Sequence, residues 1–210
     1  MKNSNIYLTI DAYNKNAEKY AEKFDNYEIY QNRISDFHDK YIPKSASILD
    51  LGCGPGNNIK TIHRKDDTCL FTGVDLSVTF INIAKARFPQ FKFLQKDIRF
   101  LKIEENFGVI VASFCIVHLT NEETKVFLEN LSKLLLSNGS LYLSYMNGDM
   151  SGLETTSFSE EEIFFNYYND KFIIELLSEN NFRVSEIVKE EYIEPDGSIT
   201  TDTFIYAIKN

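Results

Sequence analysis

The sequence predicts an α/β fold with a seven-stranded, mostly parallel sheet, helices on both faces and an antiparallel hairpin at the C-terminal end. Two observations lead to this prediction. From residue 47 onward, short apolar segments alternate with segments of helical periodicity, an order that produces parallel strands joined by right-handed crossovers. Near the end of the chain, Glu194-Pro195-Asp196-Gly197-Ser198 separates two strand-like runs so closely that the chain can only return antiparallel.

Two predicted helices precede the sheet. Residues 1–9 are predicted to be a short tail, and Asp11 is predicted to cap a helix over residues 12–24, where aromatic and apolar residues recur at helical spacing. A second helix is predicted over residues 29–41, and Pro43 ends it. Because this pair precedes the first strand, we expect it to cover one end of the sheet.

The sheet and its crossovers follow. Strands of the parallel part are predicted at residues 47–51, 69–74, 92–95, 107–113 and 139–146. Between them we expect helices at 57–64, 78–87 and 121–136 and a short turn near 98–101. The last elements are predicted to be a helix at 171–179 and the two hairpin strands at 182–192 and 203–209.

The chain is predicted to form one domain over residues 1–210, because its 210 residues fit a single large core. Residues 147–159 contain two glycines and several Ser and Thr residues, which predicts a loop, and Glu160-Glu161-Glu162 predicts a solvated helix start. The parts are a helical cover (1–45), a ligand-binding core (46–146), an active-face loop (147–168) and a C-terminal helix with the hairpin (169–210).

Composition excludes several classes of protein. Hydrophobic residues make up 43% and charged residues 25% of the chain, as in ordinary globular proteins. A net charge of −9 disfavours tight, non-specific binding to nucleic acid, so no DNA partner is expected. We also expect no membrane association and no secretion signal. Three cysteines without C-x-x-C spacing (Cys53, Cys69 and Cys115) argue against a disulfide framework or a metal site and favour a cytoplasmic location.

The residues that could bind a ligand follow consecutive predicted strands. The first strand runs into the turn Gly52-Cys53-Gly54-Pro55-Gly56, whose small residues let a ligand approach the backbone. Asp75 ends the second strand, where a carboxylate can accept both hydroxyls of a ribose. Asp97 follows the third strand and can accept from an exocyclic amine, while Ile98 can pack on a purine. Ser113 ends the fourth strand. Carboxyl ends of parallel strands meet at one edge, so we expect one ligand site there.

These motifs together resemble the class I S-adenosylmethionine-dependent methyltransferases of the small, single-domain, Rossmann-like type. Residues 48–56 resemble the glycine-rich first motif of that family, residues 74–77 its ribose-binding segment, and residues 96–98 its adenine-binding segment. Residues 107–119 and 131–141 resemble its later motifs, and residues 13–20 its Y-x-x-x-A-x-x-Y opening helix. The resemblance spans residues 12–209 and implies methyl transfer by in-line displacement, with S-adenosylmethionine as the cofactor.

The resemblance implies a set of cofactor-binding residues, namely Asp50, Gly52, Cys53, Gly54, Gly56, Asp75, Leu76, Asp97, Ile98, Ser113 and Tyr20. Asp50 could hold the amides of the turn or reach the amino group of the cofactor. Cys53 and Cys115 are expected to be small packing residues and not nucleophiles. The family has no invariant catalytic residue, so none is predicted.

The candidates for the acceptor side are Tyr13, His118, Tyr145, Asn147 and Tyr168. For His118, a structural role and a role as base both stay open, and Tyr13 and Tyr20 could simply form the buried face of a helix. The aromatic residues of the 164–168 segment could belong to the core or wall an acceptor pocket.

The acceptor itself stays open, with a small molecule as the preferred hypothesis. The alternatives are a methyltransferase acting on tRNA or protein, a nucleotide-binding oxidoreductase and a non-catalytic S-adenosylmethionine-binding module. The G-x-G-x-G spacing, where oxidoreductases have G-x-G-x-x-G, argues against the oxidoreductase. No [DN]-P-P-[YF] segment follows the fourth strand, which excludes the DNA enzymes that methylate amino groups.

Overall fold

The protein, described here as a computed structural model, is built around one seven-stranded sheet with the strand order β3-β2-β1-β4-β5-β9-β8. The structure describes residues 4–193, 197 and 199–210. The strands of the sheet are β1 (Ser47–Leu51), β2 (Leu70–Asp75), β3 (Lys92–Gln95), β4 (Phe107–Ser113), β5 (Leu135–Met146), β8 (Phe182–Ile193) and β9 (Ile199–Lys209). A separate two-stranded sheet pairs β6 (Ser151–Thr156) with β7 (Ser159–Asn166).

The strand directions confirm the predicted fold class. β1 to β5 are paired in parallel, whereas β9 runs antiparallel to both β5 and β8. The predicted turn at residues 194–198 lies outside the described residues except for Gly197. Both β5 and β9 begin four residues earlier than predicted, at Leu135 and Ile199, because Leu135 pairs with Phe107 and Ile199 pairs with Ile193.

Helices cover both faces of the sheet, as predicted. Successive strand residues point to opposite faces, so Ile48 joins the core beneath α3, α4 and α5, and Leu49 joins the core beneath α6 and α7. Both residues are fully buried. The helices are α1 (Ser4–Lys15), α2 (Ala17–Phe24), α3 (Glu28–Tyr41), α4 (Asn57–Lys65), α5 (Val78–Arg87), α6 (Asn121–Leu134) and α7 (Asp170–Glu179). Single 3₁₀ turns occupy Ile98–Phe100 and Ile116–His118.

The N-terminal segment differs from the prediction in two respects. The predicted tail is helical from Ser4, so Asp11 lies inside α1 and does not cap a helix. The single helix predicted over residues 12–24 is two helices, α1 and α2, which meet at Asn16. The side-chain Nδ2 of Asn16 donates to Ser159 Oγ at 3.1 Å and to Glu161 Oε2 at 2.9 Å. These contacts with β7 accompany the break in the helix, which local periodicity alone does not predict.

The segment predicted to be an active-face loop is instead a β-hairpin. β6 and β7 pair antiparallel around the two-residue turn of Ser157 and Phe158. Glu160, Glu161 and Glu162 lie inside β7, so the predicted helix start is wrong. The hairpin lies against α1, where Phe158 and Ile163 pack on Ala12. Within the described part of the chain, no helix is long and apolar enough to cross a membrane.

Candidate active site

A cavity of about 780 Å³ opens at the carboxyl edge of the parallel strands. This volume lies within the range of ordinary small-ligand pockets. The cavity brings together most of the residues that the sequence singled out: Tyr13, Tyr20, Gly52, Cys53, Gly54, Asp75, Leu76, Asp97, Ile98, Ser113 and His118. Asp50, Gly56, Tyr145, Asn147 and Tyr168 do not line it.

The turn after β1 depends on glycines with left-handed backbone conformation. Gly52 has φ +66°, and a Cβ at this position would lie 2.5 Å from the Cβ of Cys115. Gly54 has φ +53°, and a Cβ there would meet only the Tyr20 ring, 3.9 Å away. Glycine adopts such angles without steric cost. Gly54 therefore leaves this wall of the cavity open, whereas Gly56 (φ +89°) begins α4 outside the cavity.

The amides of this turn are bonded to the end of β2. The amides of Gly52 and Cys53 donate to the carbonyl of Val74 at 2.8 and 3.0 Å. The amide of Gly54 donates to Asp75 Oδ2 at 2.8 Å. The turn is thus held rigidly against the neighbouring strand, and none of these three amides bonds to Asp50.

Asp75 is a buried carboxylate that faces the cavity. Its Oδ1 accepts from the amide of Ser77 at 2.8 Å, and its Oδ2 accepts from Gly54. Each carboxylate oxygen has two acceptor directions, so one on each oxygen is available to a ligand. Burial raises the pKa of Asp75, and the amides of Ser77 and Gly54 oppose that rise because they favour the charged form.

Asp50 lies below the turn and is only 1% exposed. Among the described residues, no group makes a hydrogen bond of good geometry to either of its oxygens. Burial raises the pKa of Asp50 to about 8, and the negative charge of Asp75 adds to that rise, while the Asn58 side chain opposes it. A buried carboxyl group without a bonded partner is costly. Asp50 is therefore a costly buried acid near the end of β1, beneath the turn and outside the cavity lining.

Asp97 is bound by a neighbouring arginine. Arg99 donates to both oxygens of Asp97, through Nε at 3.0 and 3.1 Å and through a terminal nitrogen at 2.6 Å, and the Arg99 amide adds a bond at 3.0 Å. Arg99 also bonds to Glu123 at 2.7 Å. A ligand amine would compete with Arg99 for the carboxylate of Asp97. Ile98 lines the cavity beside it.

Aromatic side chains from α1, α2 and the β6–β7 hairpin cover the cavity. The Tyr20 ring lies 5.5 Å from that of Tyr13, 5.1 Å from that of Phe80 and 5.2 Å from that of Phe158. Burial raises the pKa of both tyrosines, so their phenols are neutral near pH 7. This aromatic cover lies beside the glycine turn, where Tyr20 is the side chain nearest to Gly54.

His118 connects the cover to the sheet. Its Nδ1 lies 2.8 Å from the carbonyl oxygen of Phe164, and a carbonyl only accepts, so Nδ1 carries the proton. Nε2 is then the acceptor for the Tyr13 hydroxyl, 3.0 Å away. Burial lowers the pKa of His118 to about 4, and its hydrogen bond to the backbone of Phe164 partly opposes this. His118 is therefore neutral near pH 7.

The other three acceptor-side candidates are engaged in hydrogen bonds elsewhere. Asp170 accepts from the Tyr145 hydroxyl at 2.9 Å and from the Asn147 amide at 2.6 Å. The Tyr168 hydroxyl lies 2.8 and 2.7 Å from the carbonyl oxygens of Ile116 and Leu119. These side chains join β5 and α7 to the core and do not form the expected pocket wall.

The structure also places residues at the cavity that the sequence analysis missed. They are mainly on α2, α3, the hairpin and the β8–β9 pair, and they include Phe24, Tyr27, Tyr30, Phe114, Glu154, Phe158, Tyr192 and Asp202. An available signal was Asp202, an acid flanked in β9 by threonines and followed by an apolar run. Its proximity to Tyr30 comes from long-range strand order, which no local motif contains.

Ser77 joins the cover to the cavity wall. Its hydroxyl caps α5 by accepting from the Phe80 amide at 3.1 Å and donates to Asn14 of α1 at 2.6 Å. We expect Ser77→Ala to cost about 1 kcal/mol of unfolding free energy. We also expect S-adenosylhomocysteine, the demethylated form of the cofactor that the sequence resemblance implies, to bind about three- to tenfold more weakly, because α1 loses its bond to the wall.

Asn169→Ala is the matched control for this prediction. The Asn169 side chain caps α7 by accepting from the amide of Lys171 at 3.0 Å, and it does not line the cavity. This variant should cost a similar unfolding free energy and leave the affinity for S-adenosylhomocysteine unchanged. Equal affinities for the two variants, measured by calorimetry, would show that the contact of Ser77 with Asn14 has no part in ligand binding.

Known proteins with a similar sequence or structure include methyltransferases. Residues 48–139 match the family described as methyltransferase domain. A methyltransferase from Clostridium acetobutylicum, described as S-adenosylmethionine-dependent, has a similar structure, with a TM-score of 0.70 at 16% identity over 92% of this chain and 98% of that one. Residues 48–139 are thus similar to a methyltransferase domain, and the chain shares the fold of S-adenosylmethionine-dependent methyltransferases. This confirms the predicted resemblance.

Two further relatives act on small molecules according to their names. Trans-aconitate 2-methyltransferase from an Enterobacter species is 31% identical over 96 residues, which cover 46% of this chain and 37% of that protein. This chain therefore spans just over a third of the length of that relative. A 1,6-didemethyltoxoflavin-N1-methyltransferase from Burkholderia thailandensis, solved with its acceptor and S-adenosylhomocysteine, has a TM-score of 0.66 at 16% identity over 95% of this chain and 89% of that one.

The residues at the carboxyl edge fit S-adenosylmethionine, the cofactor of the methyltransferases to which this chain is similar. Asp75 lines the cavity, and each of its two oxygens accepts one backbone amide and can accept further hydrogen bonds from a ligand such as a ribose. Asp50 is a buried carboxyl group without a bonded partner in the described part of the chain, and the amino group of a methionine moiety would supply one. Gly54 leaves the wall open beside Tyr20. The donor set is thus suited to a ligand with a ribose and an amino-acid end.

Proposed function

We propose that this protein transfers a methyl group from S-adenosylmethionine to a small-molecule acceptor. The observation that carries the proposal is the single cavity that extends from the glycine turn past Ser113 to the start of β9. Such a cavity has room for two ligands side by side. Its cover is aromatic, and the methyl acceptors in the names of two relatives are small molecules.

The chain's own residues would position the cofactor. Bound S-adenosylmethionine supplies a methyl group on a positively charged sulfur. Asp75 would accept from the ribose hydroxyls, and Asp97 with Ile98 would contact the adenine. The glycine turn, with Ser113, would hold the methionine end, and Asp50 its amino group. Correct orientation of the two reactants is worth roughly 7–11 kcal/mol of the barrier, so binding and orientation would supply most of the catalysis.

The cover would set the conditions for transfer. Tyr13, Tyr20 and Phe158 close the cavity towards solvent, which strengthens electrostatic interactions inside it. His118 is neutral, and its hydrogen bond holds Tyr13 in place. We assign His118 a positioning role, which is the structural alternative that the sequence analysis left open.

We also propose that the protein is located in the cytoplasm. The three cysteines are free and buried, which supports a reducing compartment such as the cytoplasm. The net charge of −9 supports an acceptor other than nucleic acid.

Calorimetry with unliganded protein tests the proposed function. We expect S-adenosylhomocysteine to bind with one site per chain, and NAD and NADP to show no heat of binding at the same concentrations. Binding of NAD or NADP without S-adenosylhomocysteine would instead support the oxidoreductase alternative. A methyl-release screen over metabolites, tRNA and proteins then separates the acceptor classes, because turnover only on macromolecules would contradict the small-molecule proposal.

A further inference from the structure

The part of the cavity beyond Ser113 ends at a buried acid. Asp202 lies near the start of β9 and is 4% exposed, and it lines the cavity. It accepts a hydrogen bond from the Tyr30 hydroxyl of α3 at 2.9 Å. The strand order places β9 two strands from β4, on the side away from β1, β2 and β3. Asp202 therefore lies away from the residues proposed for the cofactor, on the side left for the acceptor.

Aromatic faces surround this acid. Tyr30 is central, with its ring centroid 4.7 Å from that of Tyr27 and 4.8 Å from that of Phe114. Tyr192, on the strand beside Asp202, also lines the cavity. Aromatic faces attract cations, and a carboxylate beside them adds a full negative charge. This combination is suited to a positively charged nitrogen.

The charged residues that line the whole cavity also favour a positively charged ligand. Four acids line it, namely Asp75, Asp97, Glu154 and Asp202. Among the described lining residues, Lys23 is the only lysine or arginine, and it donates to Ser157 and lies 5.0 Å from the centre of the Phe24 ring. His118 adds no charge, because its pKa of about 4 keeps it neutral. Arg99 balances the charge of Asp97, but an anionic acceptor would still meet repulsion from Glu154 and Asp202.

From these observations we infer that the methyl acceptor is the nitrogen of a small amine, bound by Asp202 between the aromatic rings of Tyr30, Phe114 and Tyr192. The inference rests on the proposed function, since it names the substrate class of that same site. It also separates this chain from the relative named for trans-aconitate, whose acceptor is a carboxylate anion.

The transfer step is balanced for a neutral amine. One N–H of the amine donates to Asp202, and the nitrogen lone pair forms the new bond to the methyl carbon. The carbon–sulfur bond breaks, and its electron pair stays on sulfur, which becomes neutral. The positive charge moves to nitrogen, where Asp202 and the aromatic faces stabilise it. The methylated ammonium loses its proton to water after release.

A matched set of acceptors tests this inference on the unmodified protein. Aliphatic and aromatic amines of increasing size are compared with the carboxylates of the same carbon skeletons, with production of S-adenosylhomocysteine as the readout. We expect turnover among the amines and none among the carboxylates. Turnover of carboxylates, or of no amine while S-adenosylhomocysteine still binds, would overturn the inference and leave the proposed cofactor site intact.

A pair of acid-to-amide variants then assigns the charge to one residue. Asp202→Asn should raise the KM of the best amine, and weaken its calorimetric binding to the S-adenosylhomocysteine-loaded protein, by about 10- to 100-fold. The affinity for S-adenosylhomocysteine itself should not change. Glu190→Gln is the control, because Glu190 pairs in register with Asp202, bonds to Arg33 and does not line the cavity. Equal amine affinities for the two variants would contradict the role of Asp202. If the unmodified protein did not bind S-adenosylhomocysteine, the proposed function itself would be contradicted.

Discussion

Replacing Asp75 with alanine should weaken the binding of S-adenosylhomocysteine by at least about 100-fold. The expected loss corresponds to two hydrogen bonds from ribose hydroxyls to a charged acceptor, each worth roughly 1.5–3 kcal/mol. Asp75 also fixes the cavity wall, since it accepts from the amides of Gly54 and Ser77 at 2.8 Å. The variant therefore loses both the acceptor and the geometry of the turn. Calorimetry measures the affinity.

Controls separate lost binding from lost folding. Asp75→Ala leaves two amides without their acceptor, so its unfolding free energy should fall, and circular dichroism has to show that it is folded at the titration temperature. Asp75→Asn keeps the volume but removes the charge and one of the two acceptor oxygens. Asp66→Ala removes an exposed acid that bonds to Thr68 and does not line the cavity, so this variant should bind normally. An affinity within threefold of the unmodified protein in folded Asp75→Ala would show that the ribose binds elsewhere.

The sequence located this carboxylate because strand ends are fixed by local patterns. β1, β3 and β4 have the bounds that their apolar runs predict, and β2 is shifted by one residue. The acids and glycines that follow those runs could only meet at the carboxyl edge of a parallel sheet. For Asp75, therefore, periodicity and strand order were sufficient to predict its position.

The cover could not be predicted in the same way, because long-range contacts shape it. Asn16 interrupts a helical pattern. Its side-chain amide bonds to Ser159 and Glu161, which are more than 140 residues away in the chain. The β6–β7 hairpin has Ser157 and Phe158 at its turn, where a sequence signal would need Asn-Gly or a similar pair. Phe158 instead packs on Tyr13 and Tyr20.

The acceptor side shows the same limit. Tyr145 and Asn147 lie at the end of β5, where a substrate pocket was expected, but Asp170 accepts from both of them. Asp202 is near in space to the end of β5 because β9 returns antiparallel, with Asp202 opposite Met146. Only the register of the C-terminal strands identifies which polar side chain faces the cavity.

Replacing Asp50 with asparagine should make the unliganded protein more stable at pH 7 while weakening its affinity for S-adenosylhomocysteine. The folded-state pKa of Asp50 is about 8, above the ordinary value of 3.8. The unfolded chain therefore releases this proton near pH 4 and the folded chain near pH 8. Stability contributed by the protonated form is complete below pH 4 and is lost as the pH rises to about 8. Asparagine never ionises, so the variant should gain roughly 2–4 kcal/mol over the unmodified protein at pH 7.

Denaturant unfolding of both proteins from pH 4 to pH 8 measures this difference. His118 acts with the opposite sign, because its folded-state pKa of about 4 lies below 6.5, so its contribution is lost as the pH falls from about 6.5 to 4. Subtracting the variant from the unmodified protein removes that common term. A stability difference that does not grow between pH 4 and pH 8 would mean that Asp50 is ionised in the unliganded fold. A growing difference, together with weaker binding of S-adenosylhomocysteine, would mean that the fold keeps a destabilising carboxyl group because the amino group of the cofactor binds there.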